Sequence, residues 1–409
     1  MAQSERLTFA TLNVRGLRSF QKQAQLRRLF TRKRLDFVAI QETKIESDED
    51  TEKALRPFLS DYNAQTYVPH RLSIFGRAKA CNTFLATKLY YVLQLIHCAR
   101  SYIQRFHRTF ATFVWSSTFE PMRRDNLFRP VKEGGLGLVH LYLWQIVSRF
   151  YFFRDSSHPI IRSFLQITFV NALPDLIVSS DFSVRPCLWG FMQEVFIAVR
   201  FLKVRFSIEY LYTVSRKRLY KDLVSMLFPP PLYRSLYSHL PGHDVLKRVR
   251  KMDLSPDTKT FFYKLHTDTL PVKSWLQRKG IFVSSVSCRL CDVPETVEHC
   301  FISCKDAILF WDILQRTVQK YFNINSHTIR YLLPTSLDEV PFDMFFLMGL
   351  HSLWKTRMQD RNAEPTAASS MHFMRMALHL KDIYEELDIR PDWHPILMRC
   401  SSLPASTCN

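Results

Sequence analysis

Apolar and polar positions divide this chain into a short N-terminal region of strand-like runs and a long remainder with helical period. Residues 7–13 (LTFATLN) and 36–42 (DFVAIQE) are compact apolar runs that predict two strands. Between them Phe20, Leu26, Leu29 and Phe30 share one face of a 3.6-residue repeat, which predicts an amphipathic helix over 20–34. A strand, a helix and a strand in so few residues form a βαβ unit with its strands parallel. The segment ESDEDTEKALRPFL then opens with acids suited to a helix N-terminus, and Pro57 closes it.

The pattern changes near residues 64–71. From RLSIFGRAKA onward apolar residues recur at helical spacing. KEGGLGL at 132–138 predicts a turn, 141–227 further helices, and the three prolines of FPPPLY at 228–233 a rigid break. A second basic helical block is expected over 244–282, and helices again over 306–323 and 343–358. The tail from about Pro391 is rich in Ser, Pro and Cys and is expected to fray. The fold class expected is mainly α: a small N-terminal α/β (βαβ) stub, a helical basic body and one cysteine-bearing knuckle at 286–314.

Composition adds a partner to this picture. Lys and Arg number 56 against 37 Asp and Glu, a net charge of +19 over 409 residues. A chain this basic is suited to a polyanion, with RNA or DNA foremost. The 71–130 stretch carries ten Lys or Arg and only two acids, Glu120 and Asp125. Hydrophobic residues make up 47%, enough for a large core, and only 9 are glycine, which favours helices. No run of 18 apolar residues is present, so no membrane partner is expected. MAQSERLTF lacks the apolar core of a signal peptide, and the expected location is intracellular, cytoplasmic or nuclear.

Two constellations carry candidate chemistry. If the predicted strands are neighbours, Asn13 and Glu42 lie at one sheet edge, where open α/β sheets collect ligands. Glu42 is then a candidate magnesium ligand, since that ion takes one or two carboxylates and keeps several waters. The second is CRLCDVPETVEHCFISC at 288–304. Cys288, Cys291, His299 and Cys304 form C-x2-C-x7-H-x4-C, a closed four-ligand set suited to structural zinc. Cys300 is a neighbouring spare. Four of the nine cysteines in so short a stretch point to metal rather than disulfides.

Three segments resemble parts of a known polyprotein. TLNVRGL (11–17) and DFVAIQETK (36–44) are similar to the opening of the endonuclease/exonuclease/phosphatase fold, and the resemblance implies that Asn13 closes the first strand and Glu42 binds the catalytic magnesium. RLSIFGRAKACNTFLATKLYYVLQ (71–94) and FVWSSTFEPMRRDNLFRPVKEGGLGLVHL (113–141) resemble the segment after the polymerase in non-long-terminal-repeat (LINE-type) retrotransposons of the tick-transposon kind. The cysteine cluster, with its flanking TKTFFYKLHTDTLPVKSWLQRKGI (258–281) and DAILFWDIL (306–314), resembles their zinc-binding region, with Trp275 and Trp311 as packing anchors. The implied segments are 1–66 truncated nuclease fragment, 67–190 basic thumb-like region, 191–285 second helical block, 286–314 zinc knuckle and 315–409 C-terminal helical region.

The resemblance also implies what is missing. The nuclease family needs an Asp-x-Asn strand and a closing Asp-His pair. Asp61-Tyr62-Asn63 comes too early, and the chain contains no Asp-His and no Asp-Asp dipeptide. Polymerases need paired aspartates for their two metals. Magnesium is thus expected only if the nuclease site is completed from elsewhere. The expected function is a catalytically inactive, nucleic-acid-binding remnant, with the element's own transcript as one candidate partner. Its candidate contacts are Arg71, Arg77, Lys79, Arg123, Arg124, Arg216, Lys217, Arg218, Lys247, Arg248, Arg250 and Lys251, whose charges would displace counterions from phosphates. A magnesium-dependent endonuclease completed by another chain, and a structural or non-functional product, are the alternatives. Phe9, Leu12 and Val38 lack the second sheet they would face, so self-association through the stub is a further expectation.

Overall fold

The computed structural model describes residues 9–13, 37–41, 72–95, 98, 100–169, 190–332, 340–388 and 390–403, the first two ranges as backbone only. The predicted helix over 20–34, the acidic segment from Glu46, Glu42, Arg71 and the side chain of Asn13 lie outside the described residues. The two strands β1 (Phe9–Asn13) and β2 (Phe37–Gln41) pair in parallel, with Phe9 opposite Phe37 and Asn13 opposite Gln41. The remainder of the described chain is helical, as its period implied. It divides into two compact units.

The first unit takes in 77–120 and 139–223 along with the strands. A helical stretch α1 (Ile74–Ala80) passes through a π-helical turn, Cys81–Ala86, into α2 (Thr87–Leu95). Helix α3 (Arg100–Trp115) buries Ile103, Phe106, Phe110 and Val114, spaced three and four apart along one face. After the short α4 (Asp125–Phe128), which belongs to the second unit, α5 (Leu141–Asp155) starts at His140, whose Nδ1 accepts from Leu143 N at 3.2 Å. Next come α6 (Pro159–Phe169), α7 (Gly190–Lys203), α8 (Ile208–Thr213) and α9 (Arg216–Leu227). Helices α5 and α7 pack through Ile146, Phe150, Val195 and Val199. Between them the buried Arg149 pairs with Glu194 at 2.8 Å and lies 4.2 Å over the Phe191 ring. Gln145 donates to the same carboxylate at 2.8 Å.

The second unit comprises 72–76, 121–138 and 224–409. The glycine cluster is a tight loop because its backbone folds onto Arg129. A side chain at Gly135 would place Cβ 2.1 Å from the Arg129 carbonyl, so only glycine fits. Tyr233 Oη then donates to Gly134 O at 2.7 Å, which ties the loop to α10 (Leu232–Ser235) just after the prolines. The basic block 244–282 contains three helices, α11 (Val245–Lys251), α12 (Pro256–His266) and α13 (Lys273–Arg278). Ser255 caps α12 by accepting from Thr258 N, Pro256 fits its first turn, and Asp257 and Lys264 suit the helix dipole. Leu270-Pro271 ends continuity before α13.

Helices α14 (Lys305–Val318), α15 (Thr328–Tyr331), α16 (Phe342–Arg361), α17 (Ser369–Glu386) and α18 (His394–Cys400) complete the unit. Helix α16 is apolar around most of its circumference because α12, α14 and α17 all pack on it. Burial of each large side chain there, such as Phe345, Leu347 or Leu350, contributes about 2 kcal/mol. Helix α18 corrects the expectation of a frayed tail as far as Leu403, and 404–409 lie outside the described residues. Trp393, Leu397, Cys400 and Leu403 recur at helical spacing and are buried, and α18 packs against α14 and α17. Apolar periodicity outweighs the local Ser and Pro content.

Candidate metal centre

The knuckle is built by backbone geometry first. Ser287 bridges Pro294 in antiparallel fashion, and Cys288 N donates to Val293 O at 2.7 Å. Asp292 N returns to Cys288 O at 2.9 Å, with Asp292 in the left-handed region at φ 55°. Aspartate tolerates that conformation, so the turn closes without glycine. His299 opens a π-helical turn, His299–Ser303, with its N–H donating to Thr296 Oγ1 at 3.0 Å. Cys304 follows at the start of α14 and donates its N–H to His299 O.

These segments gather one ligand atom each from Cys288, Cys291, His299 and Cys304, all within 4.8 Å of one another. Cys291 Sγ and Cys304 Sγ are 3.8 Å apart. Two thiolates bound to one tetrahedral zinc at 2.3 Å stand about 3.8 Å apart, so the spacing fits. His299 Nδ1 lies 3.4 Å from Ser303 Oγ, while the buried Nε2 has no nitrogen or oxygen partner. A buried ring nitrogen left in that state is what a metal ion would complete. The donor set of three thiolates and an imidazole, with no further position, suits a structural ion. Cys300 is outside the set: it is buried, and burial pushes its thiol up.

The electrostatics are shared with α16. Arg357 is buried there and donates from Nη1 to Cys288 Sγ at 3.0 Å and from Nη2 to Cys304 Sγ at 2.5 Å. Burial opposes ionisation of Cys288, but hydrogen bonds with His299 and Arg357 outweigh it and bring the thiol down to about 6. At Cys304 burial dominates over Arg357 and the thiol stands at about 11. Beside the knuckle, the buried Glu295 accepts from Arg361 at 2.6 Å and from Lys273 N at 3.1 Å. Arg361 also donates to Pro271 O at 2.6 Å. Trp311 is buried, donates Nε1–H to Phe301 O at 2.8 Å and stacks on Phe346 at 4.8 Å. Trp275 is likewise buried on α13, so both tryptophans are packing anchors.

Residues 231–311 match the family described as zinc-binding in reverse transcriptase. The four ligands lie inside that range, and Trp311 ends it. No curated protein matches the chain. The match supports a retrotransposon-derived protein with a structural zinc. No helix among the described residues is long and apolar enough to cross a membrane.

The candidate nucleic-acid contacts separate into groups. Lys79, Arg123, Arg216, Lys217, Arg218, Lys247, Arg250 and Lys251 are exposed, and Arg124 is half-buried. Arg218 is paired with Asp222 at 2.8 Å. Arg77 is buried, on the inner face of α1. Arg248 is held by Asp343 at 2.6 Å and by the carbonyls of Tyr331 and Leu332. Its guanidinium is therefore engaged in joining α11 to α15 and α16. Arg357 and Glu295 escaped the sequence reading. The signal for Arg357 was a cation continuing the apolar stripe of Leu350 and Trp354, a position where a charge must find a partner.

Proposed function

We propose that this protein is a nucleic-acid-binding remnant of a LINE-type retrotransposon polyprotein, without cleavage or polymerase activity of its own. The observation that carries the reading is the four-ligand cluster, with zinc-compatible spacing, inside the segment matched to a reverse-transcriptase zinc-binding family. The net charge of +19 and the exposed basic residues of α9 and α11 support a phosphate-bearing partner, RNA or DNA, with the element's own transcript one candidate. In this reading the N-terminal strands are the start of an endonuclease/exonuclease/phosphatase domain, joined near residues 64–70 to the post-polymerase region by an internal deletion. The segments 1–66, 67–190, 191–285, 286–314 and 315–409 are the corresponding pieces. Zinc holds the knuckle closed and takes no part in chemistry. Magnesium has a role only if another chain completes the site around Glu42. The protein works in the cytoplasm or nucleus.

The experiment measures zinc per chain and affinity for single- and double-stranded oligonucleotides at two salt concentrations. About one zinc per chain, together with binding that weakens steeply with salt, is expected. Binding that ignores salt, or a chain without zinc, overturns the reading.

A further inference from the structure

The matched family segment ends at residue 311, yet two of the three ligand sulfurs receive hydrogen bonds from residue 357. We infer that Arg357 of α16 is a positioning residue of the metal centre, and that the zinc ligands are held in place by α16 as well as by the knuckle. The inference rests on the zinc reading above and extends it to a residue outside the matched segment.

Three thiolates and a divalent ion leave one unit of negative charge. The thiolate pair at Cys288 and Cys304 is buried, where an uncompensated charge is costly. Arg357 is the cation that reaches both sulfurs, one through each terminal nitrogen. A guanidinium presents its donors as a rigid fork, so bridging two sulfurs also fixes their separation. Hydrogen bonds from outer residues orient metal ligands, and their loss typically costs about 10–100-fold in metal affinity.

Helix α16 is itself anchored at the knuckle by the turn that follows Arg357. Arg361, one turn on, pairs with Glu295 at 2.6 Å, and Asp360 pairs with Arg289 at 2.7 Å. Glu295 and Arg289 belong to the loop that carries Cys288 and Cys291. The last turn of α16 therefore sets the guanidinium against the sulfurs through contacts independent of the metal. Arg357 is not a ligand. It acts through the thiolates, by holding their charge and spacing.

The test uses the full chain, with Arg357→Met and Arg357→Lys. Zinc-loaded protein is mixed with a chromophoric chelator and release is timed. Parallel samples are loaded with cobalt(II), whose thiolate-to-metal charge-transfer band reports on hydrogen bonding at sulfur. Arg357→Met is expected to release zinc about 10–100-fold faster. Its band moves to longer wavelength, because a hydrogen bond stabilises the sulfur lone pair from which the transition starts. Arg357→Lys keeps the charge but loses the fork, and is expected to fall between. A melting temperature lowered equally with and without zinc, with release and band unchanged, makes Arg357 a packing residue and overturns the inference. If Arg357→Met fails to fold, Arg357→Lys decides: parent-like release and band position overturn it. A zinc-loaded parent with indifferent variants defeats this inference alone, whereas a parent without zinc defeats the underlying reading as well.

Discussion

The cysteine knuckle and the metal site proposed beside the N-terminal strand pair differ in where the rest of each site would be encoded. The zinc set occupies residues 288–304, a single turn and one π-helical turn, and its four atoms converge within 4.8 Å. The site implied around Glu42 would draw further ligands from strands far along a domain. A locally encoded ligand set survives rearrangement of the surrounding chain, while a dispersed one depends on every strand being present. The two parallel strands keep their register, but the pairing of two strands does not by itself make such a site.

The largest expected effect is on the local site. Cys304→Ser, or strong chelation, should release zinc and unfold the second unit at a lower temperature, since structural zinc supplies on the order of 10 kcal/mol in small zinc peptides. Circular dichroism melts with and without chelator measure this. Coincident melts would mean that the knuckle needs no metal, and the contrast with the strand pair would collapse. Next, Trp311→Ala removes the anchor that holds Phe301 O and packs on Phe346, at an expected cost of about 3–5 kcal/mol in denaturant unfolding. A cost below about 1 kcal/mol would show that the knuckle stands without its helical support.

An acid dependence sharpens the picture of that support. His266 and His351 are buried in the second unit, and burial lowers each to about 3. Folding keeps both rings neutral, while the unfolded chain takes up protons below about 6.5. The stability they confer is therefore complete above about pH 6.5 and is lost as pH falls toward about 3, by up to roughly 1.4 kcal/mol per histidine per pH unit. Stability measured against pH should show a shallower slope for His351→Gln; identical slopes would remove His351 from the account. A smaller effect concerns Lys247, Arg250 and Lys251. Their triple replacement by alanine should weaken nucleic-acid binding and reduce the salt slope by about 0.9 for each phosphate no longer neutralised. An unchanged slope would place the binding surface elsewhere. Smallest of all, Glu42→Ala should leave plasmid DNA incubated with magnesium in the same state as the parent does. Nicking by the parent that vanishes in the variant would show that the dispersed site is complete after all.

The sequence was most informative where one short segment determines its own geometry. The C-x2-C-x7-H-x4-C spacing and the glycine turn within 132–138 are of that kind. It was least informative where a partner lies far along the chain. Arg77 and Arg248 look like surface cations in a basic run, and only packing shows one inside the fold and the other bound to Asp343 and two carbonyls. Arg357 lies 53 positions from Cys304, a separation across which no local pattern connects them. In the tail, the Ser and Pro content hid an apolar stripe, one of whose partners, α14, is distant in sequence.

Gly349 lies on α16 where a Cβ would come within 2.8 Å of Trp311 Cζ3 and 3.1 Å of Phe310. The indole cannot move aside, since its N–H is held by Phe301 O and its face by Phe346. Every single-nucleotide missense change of a glycine codon adds at least that carbon. Among genomic copies descended from one element, this codon thus serves as a natural assay. Copies whose product still folds will keep it, whereas copies drifting as untranslated DNA will accumulate changes there as fast as at the exposed positions around it.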